Sequence, residues 1–148
     1  MEIRKANLND IDLLMENRIE FVLSIRDIPD VAAYSQHTRA YFEKHLTDDT
    51  LLVYLAIEDD RIISSSLLSI YETIPISYLS GKTGLLLNMY TLEAYRRQGL
   101  ASLLLKKIID EARDLGVVKI RLDYTDSGYP LYKKFGFVDL DREMALNL

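Results

Sequence analysis

Tyr95-Arg96-Arg97-Gln98-Gly99-Leu100-Ala101-Ser102 joins an apolar, strand-like run to an amphipathic helix through a turn of small residues. The first turn of a helix has backbone N–H groups with no intrahelical partner and the positive end of the macrodipole. An anion is therefore stabilised there wherever the backbone lets it approach. Gly99 and Ala101 permit that approach. Arg96 and Arg97 add positive charge at a helix end that disfavours cations unless an anion compensates. The junction suits a pyrophosphate.

Upstream, Leu85 to Thr91 reads as a central strand. Downstream, the helix from Gly99 presents Leu104, Leu105, Ile108, Ile109, Ala112 and Leu115 to a core. The pairs Lys106/Asp110 and Lys107/Glu111 fall on its wet side, and Gly116 ends it as a left-handed cap. Val117 to Asp123 is the next strand, followed by a short helix from Tyr129 to Phe135 and one or two short strands from Phe137 onward. Toward the N-terminus, Ile3 to Ala6 is a short strand, and Asn7 or Asn9 caps a helix reaching about Ile25. Pro29 breaks that helix, and a second runs from Val31 or Ser35 to Leu46. Thr50–Glu58 and Arg61–Tyr71 form a hairpin about Asp59-Asp60, and Pro75, Gly81 and Gly84 mark a loop.

Nothing along residues 1–148 reads as a linker or repeat, so the expectation is one domain. The absence of cysteine excludes disulfides and thiolate chemistry, and His37 and His45 are too isolated to build a metal site. A net charge of -5 argues against a nucleic-acid binder. No apolar run reaches the roughly 18 residues of a membrane span, and Met1 to Ala6 lacks a secretory pattern, so a cytoplasmic protein is expected.

Arg96, Gly99 and Ala101 fill the fixed positions of Gln/Arg-x-x-Gly-x-Gly/Ala, and the stretch resembles the acyl-CoA-binding motif of the GNAT superfamily of N-acyltransferases. Leu85 to Thr91 resembles the strand before that motif, and Pro130-Leu131-Tyr132-Lys133-Lys134-Phe135-Gly136-Phe137 the family's late helix and its Gly-Phe exit. The resemblance implies an α/β (α+β) fold with a mixed, mostly antiparallel central sheet flanked by helices, in the order β-α-α-β-β-β-α-β-α-β. It further implies that the strand ending at Tyr90 is bulged and splays from the one ending at Asp123. Pantetheine would lie in that gap against the main chain of Met89, Tyr90 and Thr91, with its pyrophosphate on Arg96, Arg97, Gln98, Gly99, Leu100, Ala101 and Ser102. Thr125 stands where many relatives have an Asn that contacts the pantetheine arm, so Thr125 or Ser127 is the candidate hydroxyl, with Tyr129 and Lys134 as further cofactor neighbours.

The implied reaction is direct attack of an amine on acetyl-CoA in a ternary complex, without a metal. Tyr132 matches the tyrosine that many members direct at the thioester sulfur, and a phenol with a reference pKa of about 10 is a protonated donor at neutral pH. Relatives often use a carboxylate on the strand before the motif, but Leu85 to Tyr90 contains none. Glu72 is the candidate base or acceptor anchor, with Glu20 as the alternative. Tyr34, Tyr41, Phe42, Tyr71, Ile74, Ile76 and Tyr78 come from the segments on the acceptor side. The partner expected is a small-molecule or protein amine, with no nucleic acid and no membrane; a homodimer is left open. The alternative is a non-catalytic acyl-CoA sensor or interaction module on the same fold.

Overall fold

The computed structural model describes residues 1–148, beginning with strand β1 (Glu2–Lys5). The Asn7 side chain then accepts from the Asn9 N–H while Asp10 accepts from the Asn7 N–H, a reciprocal cap over one 3-10 turn (Leu8–Asp10) that leads into helix α1 (Ile11–Ile25). The Asp10 carboxylate is buried and also takes both forks of Arg4, each at 2.7 Å. Asp30 caps α2 (Val31–His45) through the Ala33 N–H. Strands β2 (Leu51–Glu58) and β3 (Arg61–Glu72) form the expected hairpin. Then come β4 (Lys82–Thr91), α3 (Leu100–Asp114), β5 (Lys119–Leu122) and α4 (Tyr129–Lys134). No helix is long and apolar enough to cross a membrane.

The sheet runs in the order β1-β2-β3-β4-β5, antiparallel except for β4 beside β5. Alternate residues of a strand face opposite sides, and helices cover both. Leu51, Val53, Leu55, Ile57 and Leu67 pack against Ile11, Leu14 and Met15 of α1 and Phe42 of α2. Leu52, Leu68, Ile70 and Leu86 pack against Leu105, Ile108 and Ala112 of α3 and Tyr132 of α4.

Two irregularities in β4 shape the site. Leu67 pairs with Asn88 and Leu68 with Leu86, so Leu87 is an extra residue, a bulge. Pairing with β5 covers only Thr83 to Leu86 opposite Lys119 to Leu122. Beyond Leu86 the two strands part, and Leu87 to Thr91 has no neighbour on that side, as the splayed sheet of the resemblance implies.

Three expectations are corrected. Gly84 is inside β4, opposite Ile70, because the strand passes close to Leu68: a Cβ at Gly84 would stand 2.9 Å from Leu68 Cδ1. Glu111 is not on the wet side of α3: it accepts from Tyr54 Oη at 2.8 Å and from Lys5, while Lys107 lies over the Tyr54 ring. The strand or strands expected after Phe137 are absent. No main-chain hydrogen bond extends beyond Phe137, and Val138, Leu140, Met144, Leu146 and Leu148 are exposed. Apolar alternation without a hydrogen-bonded neighbour does not make a strand.

Candidate active site

Between β4 and α3 the chain makes a 3-10 turn (Glu93–Tyr95) and folds back on itself. Arg96 Nε donates to the Thr91 carbonyl at 3.0 Å, and Gln98 Nε2 to the Ala94 carbonyl at 3.2 Å, so both residues brace the loop. Arg97 and Gly99 have positive φ, 62° and 82°. A Cβ on Gly99 would meet nothing within 4 Å, so its backbone is open to close approach. No side chain caps α3, and its first helical bond runs from the Leu103 N–H to the Gly99 carbonyl. The N–H groups of Leu100, Ala101 and Ser102 are therefore left without a protein acceptor at the positive end of a 15-residue helix. Arg97 is exposed and makes no ion pair there. This donor set fits a pyrophosphate.

Tyr132 projects from α4 into the cluster that contains Leu86, the last residue of β4 paired with β5. Its ring is 8% exposed and meets Phe137 edge-on at 5.7 Å. The hydroxyl has no protein partner yet is not sealed from solvent. Burial pushes its pKa up to about 12, so the phenol keeps its proton well above neutral pH. Tyr132 also borders a cavity of about 690 Å³ between β5, α4 and the tail, lined by Leu85, Leu122, Tyr124, Val138 and Met144 and by no residue from Leu87 to Ser102.

The remaining expected residues are distributed as follows. The Met89 side chain packs into the α3 core, whereas Tyr90 faces α1, its ring tilted against Phe21 with centroids 5.5 Å apart and its hydroxyl donating to Glu20 Oε1 at 3.2 Å. Burial, reinforced by Glu20, raises the Tyr90 pKa. Thr91 Oγ1 meets Ser64 Oγ at 2.8 Å. Thr125 and Ser127 hydroxyls meet each other at 3.2 Å, and Thr125 also accepts from the Gly128 N–H, in the turn that leads into α4. Tyr129 donates to Asp139, and Lys134 is exposed without an ion pair.

Glu72 is not brought to this group. It is exposed, makes no hydrogen bond or ion pair, and sits opposite Lys82, five residues beyond Leu67. That places it roughly 16 Å along the strand from the bulge at a rise of about 3.3 Å per residue. Ile74, Ile76 and Tyr78 stand in solvent, and Phe42 is core. Glu20 is closer to β4, held by Tyr90 and by Arg61 at 3.1 Å.

A buried polar network escaped the sequence reading. Asn88 Nδ2 donates to Ser65 Oγ at 2.7 Å, and Ser65 Oγ donates to Asn17 Oδ1 at 2.6 Å. Arg18 Nη1 donates to the Leu87 carbonyl at 2.9 Å and to Asn88 Oδ1 at 3.0 Å. Its sequence signals were an Asn inside an apolar strand and the run Ser64-Ser65-Ser66 inside another. Uncompensated polar side chains do not belong in a core.

Comparison with known proteins agrees with this arrangement. The crystal structure of a predicted acetyltransferase with acetyl-CoA from Clostridium acetobutylicum is 31% identical, with a TM-score of 0.89 over 99% of this chain and 95% of that one. A GCN5-related N-acetyltransferase from Ralstonia eutropha is 25% identical, with a TM-score of 0.85 over 99% of this chain and 97% of that one. An aminoglycoside N-acetyltransferase in complex with CoA, 17% identical over 99% of this chain and 98% of that one, shares the fold at a TM-score of 0.75. No curated protein sequence matches the chain. The family model described as "Acetyltransferase (GNAT) family" matches residues 19–137, and with the splayed β4 and the uncapped α3 behind it, the chain belongs to the GNAT acetyltransferase family.

Proposed function

We propose that this protein is an acetyl-CoA-dependent N-acetyltransferase that moves the acetyl group directly to a primary amine. The observation that carries the reading is the parting of β4 from β5 after Leu86, with unpaired N–H groups at the start of α3 and a free phenol at Tyr132. Acetyl-CoA supplies the activated acyl group as a thioester. The N–H groups of Leu100, Ala101 and Ser102 hold its pyrophosphate, and the open Gly99 lets the backbone come close. Main-chain groups of Met89, Tyr90 and Thr91 on the parted edge pair with the amides of the pantetheine arm. Tyr132 Oη donates its proton to the leaving sulfur, and the depth of its burial keeps that proton available. Glu20 replaces Glu72 as the carboxylate we assign to the amine side, because it alone of the two reaches a β4 side chain. In this reading Glu72 is a surface residue.

The test is release of CoA from acetyl-CoA in the presence of a panel of primary amines, with Tyr132→Phe alongside. Acetyl-CoA should bind the variant normally, since the hydroxyl touches no protein group, while turnover falls about 10²- to 10⁴-fold, the usual weight of general acid catalysis. Unaltered turnover in Tyr132→Phe removes the acid from that residue. Acetyl-CoA binding with no turnover on any amine would instead favour the binding-module reading.

A further inference from the structure

We propose that the amine acceptor carries a carboxylate close to its amino group and that Arg18 is the side chain that holds it; the inference rests on the transferase reading above. Arg18 is half-buried and meets no carboxylate of the protein. Every other arginine of the chain is either exposed or paired with an acid. A partly buried cation without a counter-charge is costly, and it is retained where a ligand completes it.

The guanidinium is held in a fixed pose. Both bonds to β4 leave from Nη1, one to the carbonyl of the bulged Leu87 and one to Asn88 Oδ1. Asn88 is in turn fixed by Ser65, and Ser65 by Asn17 on the turn of α1 beside Arg18. The Phe21 ring lies 5.5 Å from the guanidinium carbon. What remains without a protein acceptor is the Nε and Nη2 edge, the fork whose geometry matches a carboxylate through two parallel hydrogen bonds.

Position selects the ligand. Leu87 is the first residue past the last β4–β5 pair, so Arg18 stands at the closed end of the cleft, on the α1 face of the sheet. Tyr132 packs at the same end on the α3 face. Four residues, roughly 13 Å of strand, separate Leu87 from Thr91, where the chain turns toward the start of α3. Arg18 is thus remote from the phosphates and beside the place where the acyl end of the cosubstrate would stop. An acceptor held there must present its amine within a few ångströms of its anionic group. A carboxylate fits better than a phosphate, because the nearest charges at this face of β4, Glu20 and Arg61, already pair with each other and leave no second free cation beside Arg18. One guanidinium edge balances a single negative charge.

The experiment measures CoA release with α-amino acids and with the matching α-amino carboxamides, in the wild-type protein, in Arg18→Gln and in Arg18→Lys. For the wild type, kcat/KM should favour the acid over its carboxamide by roughly 10- to 100-fold, the size expected of charge-assisted bonds. Arg18→Gln should abolish the preference, chiefly through KM, and Arg18→Lys should retain part of it. The rise in Tm given by acetyl-CoA should persist in both. Equal or better use of carboxamides by the wild type, which requires no variant to fold, overturns the inference and leaves the transferase intact. So does a preference that survives Arg18→Gln. Absence of amine-dependent CoA release with every acid and carboxamide overturns both readings together.

Discussion

Gly99→Ala separates the backbone's demand at the head of α3 from the ligand's. Gly99 has φ 82° and ψ 0°, a left-handed conformation that costs an alanine about 1 kcal/mol. The added Cβ meets no protein atom within 4 Å, so no packing penalty is added. For a chain of this size about 1 kcal/mol corresponds to a fall in Tm of about 3 °C. The Cβ does stand in the open space in front of the unpaired N–H groups, where it holds off a pyrophosphate; a tenfold loss of affinity is about 1.4 kcal/mol. At a concentration 100 times the wild-type Kd, acetyl-CoA should stabilise the wild type by about 2.7 kcal/mol, or about 8 °C. The same concentration is then only about ten times the variant's Kd, and its shift should drop to about 4 °C. Gly99→Asn is the control: Asn tolerates the left-handed region, so the unliganded Tm should stay near wild type while the ligand shift still shrinks. The assay is thermal unfolding with and without acetyl-CoA. A full wild-type shift in both variants would refute the placement of the pyrophosphate.

Two further outcomes concern stability. Arg4 holds the buried Asp10 carboxyl below the usual carboxylate range, helped by the Asn7 N–H. Its contribution is therefore present above the ordinary carboxylate pKa and lost as pH falls through the depressed one. Asp10→Asn should cost about 2 kcal/mol at pH 7 by urea unfolding, a deficit that narrows below about pH 4; a gap that stays constant down to about pH 2.5 contradicts the pairing. Gly84→Ala should cost about 1–3 kcal/mol, because its Cβ would press on Leu68, which is fully buried and cannot yield. A urea midpoint equal to wild type would show that the strand relaxes.

The parts of the fold that could be read from the residues are those whose signals are local. The α3 stripe of Leu104, Leu105 and Ile108, the Asp59-Asp60 turn and the Gly99 junction each announce themselves within a few positions, and each element forms where expected. Gly84 reads as a loop residue in the sequence because its place depends on Leu68, a neighbour only after β3 and β4 pair. The same reason hid Arg18. The groups that fix its head lie 69 and 70 residues away. Glu72 is the carboxylate nearest in sequence to an apolar loop, but strand length carries it away from the bulge. The tail after Phe137 has the alternation of a strand and lacks a partner, which alternation cannot reveal.

The closure of β4 on β5 at Leu86 and Leu122 also has a consequence for selectivity. An unpaired strand edge ordinarily recruits other strands. On β4 the open edge is Leu87 to Thr91 only, walled by a diverging strand on one side and shut at its base. A sheet edge brings neighbours with it and cannot slide into such a slot, whereas a single narrow amide-bearing chain can enter and advance until the strands meet. The last hydrogen-bonded pair of the sheet thereby becomes a depth gauge. It sets how far a guest travels, and so which of its atoms comes to rest between Tyr132 and Arg18.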